Sequence, residues 1–135
     1  MNDRPGHSPF RSIRAIDYTT VFVRDMAAMR AFYEHVIGFV PSRELSPGWI
    51  EYRIGENTLA LAKPTRTSAD PQTPAGAASL QLAFRVPVGD VDRCAAELQA
   101  AGVAIMSPPT DQPFGHRTLF FRDPDGNLVE IYSEI

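Results

Sequence analysis

Two landmarks recur along this chain at nearly the same spacing, and this internal repeat is the strongest constraint on its fold. Asp25 stands before an apolar helical pattern that Gly38 ends, and Asp90 stands before a second pattern that Gly102 ends. Aspartate is a preferred N-cap, and glycine is preferred just after a helix, so each pair predicts one helix. One predicted strand precedes each helix and three follow it, which indicates a tandem βαβββ repeat.

The first copy of the repeat shows both kinds of periodicity. Residues 15–23 are rich in β-branched and aromatic residues, which is typical of a strand. The apolar residues of the first predicted helix recur at intervals of three and four and form one face: Met29, Phe32, Tyr33, Val36 and Ile37. Three short strands are predicted after it, at residues 39–45, 49–54 and 57–62.

The second copy begins after a change in composition. Residues 64–79 are rich in proline, threonine and serine, which is typical of a linker. A strand at residues 80–86, a helix capped by Asp90, and strands at 103–106, 117–122 and 127–132 are predicted after it. The chain therefore divides into a flexible N-terminal arm at 1–12, a first βαβββ module at 13–63, the linker at 64–79 and a second module at 80–135.

A βαβββ module is incomplete on its own, because its helix covers one face of a curved sheet and leaves the other face bare. Two such modules can enclose a cavity, either within one chain or across a two-fold dimer. We therefore expect an α+β fold of tandem βαβββ modules whose curved sheets enclose a cavity. We also expect a homodimer, since paired modules bury sheet edges that would otherwise be exposed.

Composition and charge favour a role with small molecules. The net charge is -3 and the chain has no basic cluster, so we expect no binding to nucleic acid. No apolar run approaches the roughly 20 residues of a membrane helix, and the sequence predicts no signal peptide and no membrane association. The single cysteine, Cys94, excludes an internal disulfide and fits a reducing, cytoplasmic environment.

The most specific motif is Asp-Pro-Asp-Gly-Asn at residues 123–127, before an apolar strand that contains Glu130. Pro124 and Gly126 suit a tight turn. A carboxylate inside an apolar strand needs water, a cation or a hydrogen-bond donor. Because side chains alternate along a strand, we expect the following residues on the cavity side: Tyr18, Phe22, Gln81, Arg85, Glu130 and Tyr132.

The sequence resembles the vicinal oxygen chelate superfamily, which includes glyoxalase I, bleomycin-resistance proteins, fosfomycin-resistance enzymes and extradiol dioxygenases. Four stretches carry the resemblance, at residues 17–25, 31–33, 37–39 and 114–131, and together they span most of the chain. The resemblance implies the tandem βαβββ fold. It also implies metal ligands on the first and last strands of each module.

The resemblance places those ligands at Tyr18, Ala60, Gln81 and Glu130. Glu130 keeps a carboxylate, which is also the candidate catalytic group, and Gln81 offers a weaker oxygen donor. Tyr18 stands where histidine is usual, and Ala60 cannot ligate. A catalytic divalent site needs three protein ligands, so the residues favour a cavity without metal over one that holds a Zn, Ni, Mn or Fe ion.

The roles of several residues stay open at this point. His116 could ligate a metal, act as a base, bind an anionic substrate or be an exposed loop histidine. Glu130 could pair with Arg85 in a purely structural role. Aromatic residues could line a cavity for a planar ligand or pack in the core: Tyr18, Phe22, Trp49, Tyr52 and Tyr132.

Two classes of function remain. One is a binding protein similar to the bleomycin-resistance proteins, which holds an aromatic or amphipathic small molecule through Tyr18, Phe22, Trp49, Arg85, His116 and Tyr132. The other is a lyase or dioxygenase resembling glyoxalase I or an extradiol dioxygenase, in which a divalent ion chelates two neighbouring substrate oxygens. The absence of histidine at position 18 and of any ligand at position 60 favours the first.

Overall fold

The computed structural model describes residues 8–64, 70–74 and 76–135. Part of the predicted arm (residues 1–7) and part of the predicted linker (residues 65–69 and 75) therefore lie outside the described residues. A short 3-10 turn, Pro9–Ser12, precedes the first module, which we define as β1 (Tyr18–Phe22), α1 (Met26–Ala31), a π-helical turn (Phe32–Val36), β2 (Pro41–Ser46), β3 (Trp49–Ile54) and β4 (Asn57–Ala62).

The second module repeats this order. Its elements are β5 (Gln81–Arg85), α2 (Asp90–Ala100), β6 (Ile105–Asp111), β7 (His116–Arg122) and β8 (Leu128–Glu134). The strand orders are β1-β4-β3-β2 and β5-β8-β7-β6, and in each sheet the first strand runs parallel to the last. This topology confirms the predicted α+β fold of tandem βαβββ modules. The two sheets are not closed, and the exact domain boundaries stay a prediction.

Three of the four helix ends have the capping residue that the sequence predicts. The Asp25 side chain accepts a hydrogen bond from the amide of Ala28 at 3.0 Å, and Gly38 has a φ of 92° after the π-helical turn. Gly102 likewise has a positive φ after α2. The N-cap of α2 is Gly89, so the prediction that Asp90 caps this helix is wrong; Asp90 is its first residue.

Strand β6 differs most from its prediction. The sequence predicts the strand at residues 103–106, which ends before the two prolines at positions 108 and 109. The structure continues β6 through these prolines to Asp111, with irregular pairing between Ser107 and Thr110. Because β6 is an edge strand, a proline there can point its missing donor position away from the sheet.

The two modules meet through the sheet faces that carry the helices. Phe32 of the π-helical turn lies 6.1 Å from Phe121 of β7, and Phe39 lies 5.5 Å from Phe84 of β5, both measured between ring centroids. Buried residues of both sheets belong to one continuous core, which includes Val21, Leu61, Leu119, Val129 and Ile131. The opposite face of each sheet is therefore not used to join the modules. In the described residues, no helix has the length and apolar character needed to span a membrane.

A buried carboxylate connects the modules beside this core. Asp123 is 4% exposed and accepts a hydrogen bond from the Tyr33 hydroxyl at 2.8 Å. It also accepts from the amides of Asp125 and Asn127 and from the Asn127 side chain. Burial, and then the nearby Asp123 carboxylate, raise the pKa of Tyr33 well above its usual value, so its hydroxyl stays a donor. The Asp125 carboxylate accepts from the amide of Arg24 at 2.8 Å.

We predict that Tyr33→Phe lowers the free energy of unfolding by about 1–2 kcal/mol, because it removes one donor from a buried carboxylate. Urea unfolding followed by circular dichroism measures the loss. Tyr132→Phe is the matched control, since no described residue hydrogen-bonds its hydroxyl, and its effect should stay below about 0.5 kcal/mol. Equal losses in the two variants would contradict a connecting role for the Tyr33–Asp123 contact.

Candidate functional site

The face of each sheet that points away from the helices carries partly exposed aromatic and charged side chains around a few buried small ones, and we call it the open face. Tyr18 and Phe22 on β1 are 53% and 55% exposed. The first open face consists of Tyr18, Thr20, Phe22, Trp49, Glu51, Arg53, Thr58, Ala60 and Ala62. The second open face consists of Gln81, Ala83, Arg85, His116, Thr118, Phe120, Arg122, Leu128, Glu130, Tyr132 and Glu134.

On the second open face, Glu130 lies beside a neutral donor. The Gln81 side-chain amide donates to Glu130 Oε1 at 3.1 Å. Ala83 and Phe120 are the cross-strand neighbours of Glu130, on β5 and β7. The amide of Gln81 thus supplies the donor that a carboxylate in an apolar strand requires.

Arg85 does not form the predicted pair with Glu130. Its guanidinium contacts Glu134 at 3.2 Å, and both side chains are more than half exposed. The strand register explains the difference, because Arg85 lies opposite Tyr132, one step further along the open face than Glu130. An exposed pair of this kind contributes little to stability. The structural interpretation of Glu130 as the partner of Arg85 is therefore wrong.

His116 begins strand β7, so its predicted position in a loop is also wrong. Its ring stacks on Tyr132 with centroids 4.6 Å apart, and Phe114 contacts it edge-on at 5.3 Å. His116 lies opposite Glu134, four residues along β8 from Glu130, which corresponds to about 13 Å. This separation is too large for His116 to join Glu130 as a ligand of the same ion within one chain.

On the first open face, Tyr18 and Trp49 form an edge-to-face pair with ring centroids 5.9 Å apart. The Trp49 indole donates to Glu51 Oε2 at 2.7 Å. Glu51 lies directly opposite Ala60, the position that the resemblance assigned to a metal ligand. Glu51 was not among the predicted site residues. Its position two residues after Trp49, on the same face of one strand, was the signal in the sequence that could have identified it.

Tyr52 does not belong to this aromatic surface. It is fully buried on the helix side of β3, where its hydroxyl donates to Glu34 at 2.8 Å. Burial, and then this hydrogen bond, raise the pKa of Tyr52 above its usual range. Arg30 also binds Glu34, at 2.7 Å, and holds the pKa of that carboxyl below its usual value. Tyr52 is therefore a core residue.

One cleft adjoins the first open face, and a second cleft lies on the helix side of the sheets. One, of about 370 Å³, begins at Thr20 and Phe22 and continues towards Leu80. There the Arg24 guanidinium donates to Thr73 Oγ1 at 2.7 Å and holds a described part of the linker at the cleft. The other, of about 390 Å³, lies between the end of the π-helical turn and α2 on the helix side, where burial raises the pKa of Cys94. The second cleft contains none of the predicted site residues.

The residues at the four family positions do not fit a divalent metal. Gln81 turns its amide nitrogen, which cannot ligate, towards the Glu130 carboxylate. Tyr18 packs against Trp49, and Ala60 has no donor atom. Across residues 8–64, 70–74 and 76–135, no three His, Cys, Asp or Glu side chains are grouped so that they could hold a metal ion. Within the described part of one chain, the donors at these positions thus fall short of the three that a catalytic site requires.

The structure groups the predicted residues into two separate sets. Tyr18, Phe22 and Trp49 lie on the first open face, whereas Gln81, Arg85, Glu130, His116 and Tyr132 lie on the second. No hydrogen bond, ion pair or ring contact between described residues joins the two open faces. A cavity that uses both sets therefore needs a second copy of the chain or a large change in the packing of the modules.

Comparison with known proteins places the chain among a large group of relatives. The model of the Glyoxalase/Bleomycin resistance protein/Dioxygenase superfamily matches residues 15–131. A virulence protein of Salmonella typhimurium is 30% identical over 124 residues, which cover 88% of this chain and 83% of that protein. Uncharacterized proteins of Escherichia coli and Bacillus subtilis are 26% and 30% identical.

Solved structures show the same fold. A glyoxalase/bleomycin resistance protein/dioxygenase from Nocardioides superposes with a TM-score of 0.78 at 24% identity, over 92% of this chain and 85% of that one. A lactoylglutathione lyase from Agrobacterium tumefaciens superposes with a TM-score of 0.73 at 25% identity, over 88% of this chain and 92% of that one.

We predict that added Mn²⁺, Ni²⁺, Zn²⁺ or Fe²⁺ leaves the melting temperature of metal-free protein unchanged, because the ligand set is incomplete. An ion at about 100 times its Kd would stabilise the fold by ~2.7 kcal/mol. For a chain of this length that corresponds to a rise of roughly 10 °C, which thermal unfolding detects easily. A rise of that size, abolished by Glu130→Gln, would show that a metal site forms.

Proposed function

The chain belongs to the glyoxalase/bleomycin resistance protein/dioxygenase superfamily, and we propose that it binds an aromatic or amphipathic small molecule without a complete metal site. Proteins of this superfamily typically form dimers and bind small ligands. The proposal assigns the ligand to the open faces and the protein to the cytoplasm, where a single free cysteine stays reduced.

Two accessible aromatic pairs carry this proposal, one on each open face. Tyr18 and Trp49 present an edge-to-face pair, and His116 and Tyr132 present a stacked pair. Flat rings with polar atoms suit planar ligands, since the ring faces bury apolar area and the polar atoms fix orientation. Each pair has a carboxylate on the same open face, Glu51 on the first and Glu130 on the second.

A homodimer in which the first open face of one protomer covers the second open face of its partner is the second part of the proposal. The helix-side faces are already used inside the chain, and a second copy can cover the open faces without repacking the modules. Exposed apolar residues continue from the turn before β1 into β1 itself, namely Phe10, Ile13, Ile16, Tyr18 and Phe22. Exposed large apolar side chains this close together in the sequence support an interface in this region.

A metal-dependent lyase is the second candidate function. The contact between Gln81 and Glu130 supports it, because these two side chains could turn their oxygens towards one ion. Similarity to the lactoylglutathione lyase from Agrobacterium tumefaciens supports it as well. This candidate needs a third ligand, which the described part of one chain does not supply beside Glu130. The metal titration described above separates the two candidates.

We predict that planar aromatic compounds change the fluorescence of Trp49, the only tryptophan in the chain, and raise the melting temperature. Tyr18→Ala should weaken binding of a hit by about tenfold, since a buried aromatic contact of this size contributes about 1.4 kcal/mol. Val88→Ala, an exposed apolar residue outside both open faces, is the control and should leave affinity unchanged. A broad compound screen without any hit would refute the binding proposal.

We also predict that binding sites are shared between protomers. Light scattering should give about twice the 14.9 kDa of one chain. Trp49→Ala and Tyr132→Ala each damage a different open face, so each variant alone should bind poorly. Mixed dimers of the two variants regain one undamaged site when the two faces come from different protomers, and calorimetry should then recover half of the wild-type binding stoichiometry in these mixed dimers. Absence of any recovery would contradict a shared site.

A further inference from the structure

Glu51 and Glu130 are partly buried and form no ion pair with any described residue. Among the described residues, ion pairs engage the following acids with arginines: Glu34, Glu44, Asp90, Asp92, Asp111 and Glu134. Glu51 and Glu130 are only partly exposed, lie on the open faces, and receive one hydrogen bond each from a neutral N–H group. Half-buried carboxylates without a compensating cation are favourable positions for a cationic ligand.

Glu51 has the more defined surroundings of the two. The Trp49 indole holds Oε2 at 2.7 Å, whereas no described residue donates a hydrogen bond to Oε1. The opposite residue on β4 is Ala60, which is buried and brings no donor atom or charge beside the carboxylate. Tyr18 packs its ring edge-to-face with Trp49, so two aromatic rings adjoin one oriented carboxylate.

Two arginines share this part of the sheet, and neither neutralises Glu51. Arg53 donates to the carbonyl of Gly55 at 3.1 Å and approaches the Thr58 hydroxyl at 3.4 Å. Arg43 is the cross-strand neighbour of Glu51 on β2 and is exposed, and the two side chains form no ion pair. The negative charge of Glu51 therefore remains available to a ligand.

We propose that Glu51, Trp49 and Tyr18 form an ammonium site that binds the protonated amine of an aromatic ligand. Glu51 Oε1 accepts an N–H hydrogen bond from the ammonium group, a charge-assisted interaction that is stronger than one between neutral groups. The ring faces of Trp49 and Tyr18 attract the same positive charge through cation–π interactions. This assignment rests on the proposed function, because it requires the first open face to line the ligand cavity.

Three compounds of nearly equal size and different charge test the ammonium site. The full-length protein is titrated with benzylamine, benzyl alcohol and benzoate at neutral pH, and Trp49 fluorescence is followed. Benzylamine should bind about ten- to hundredfold more tightly than benzyl alcohol, since a hydrogen bond to a charged group is worth that much, and benzoate should bind most weakly. High salt should reduce the preference for benzylamine.

Glu51→Gln should abolish the preference for benzylamine while retaining the binding of benzyl alcohol. Glu56→Gln is the matched control, because it removes the same charge from the exposed turn of the same β3–β4 hairpin and should keep the preference. Glu51→Asp, which keeps the charge on a shorter side chain, provides a second variant with a reduced but measurable preference. Thermal unfolding of each variant verifies that it is folded.

The possible outcomes separate this inference from the proposed function. Equal binding of benzylamine and benzyl alcohol, unchanged in Glu51→Gln, would overturn the ammonium site and leave the binding function in place. A preference for benzylamine that survives Glu51→Gln would overturn the role of Glu51. Failure of all three compounds to bind would overturn the ammonium site, whereas the proposed function would fall only if the broad compound screen also gave no hit.

Discussion

The buried carboxylate of Asp123 is the interaction on which the arrangement of the two modules depends. An unpartnered carboxylate at this depth would destabilise the fold strongly, so every donor around it is under structural constraint. Three of these donor groups belong to its own turn and one is the Tyr33 hydroxyl of the other module. The same residues therefore close a hairpin and determine where the first helix sits against the second sheet. Because the helix sides pack together there, both open faces are left for ligand or partner.

Sequence patterns predicted the architecture well, because alternation and capping are local properties. The strands β3 and β4 lie at the predicted residues 49–54 and 57–62, and Asp25 caps the first helix as predicted. Local patterns gave wrong predictions where the structure depends on the position or register of a strand within its sheet. Prolines 108 and 109 are tolerated only because β6 is an edge strand, which the sequence alone does not reveal. Likewise, the alternation placed Arg85 and Glu130 on one face, but only the register between β5 and β8 shows that Arg85 meets Tyr132 and Glu134.

The two modules share an arginine that stabilises the same hairpin, but they differ in the position of the carboxylate on the open face. Arg53 and Arg122 occupy equivalent positions, and each donates to the carbonyl of a glycine in the following turn, Gly55 and Gly126 respectively. These arginines stabilise the same hairpin in both modules. At the position where the second module has Glu130, the first has Ala60, and its carboxylate lies one strand away at Glu51. A comparison of equivalent positions in the two modules does not reveal this relation, because the carboxylate of the first module lies on the neighbouring strand.

Each module carries one open face, and the helix sides of the two modules are already packed together. In the proposed dimer, this arrangement couples ligand binding to dimer formation. For a cavity built between two copies, a ligand that binds there favours the dimer over separate chains by mass action, and each protomer contributes to both cavities. Apparent affinity then depends on protein concentration as well as on ligand chemistry. A change far from any ligand atom, in the apolar stretch before β1, would alter binding by weakening the dimer. In such a dimer, the monomer–dimer equilibrium would control occupancy separately from the chemistry of the cavity itself.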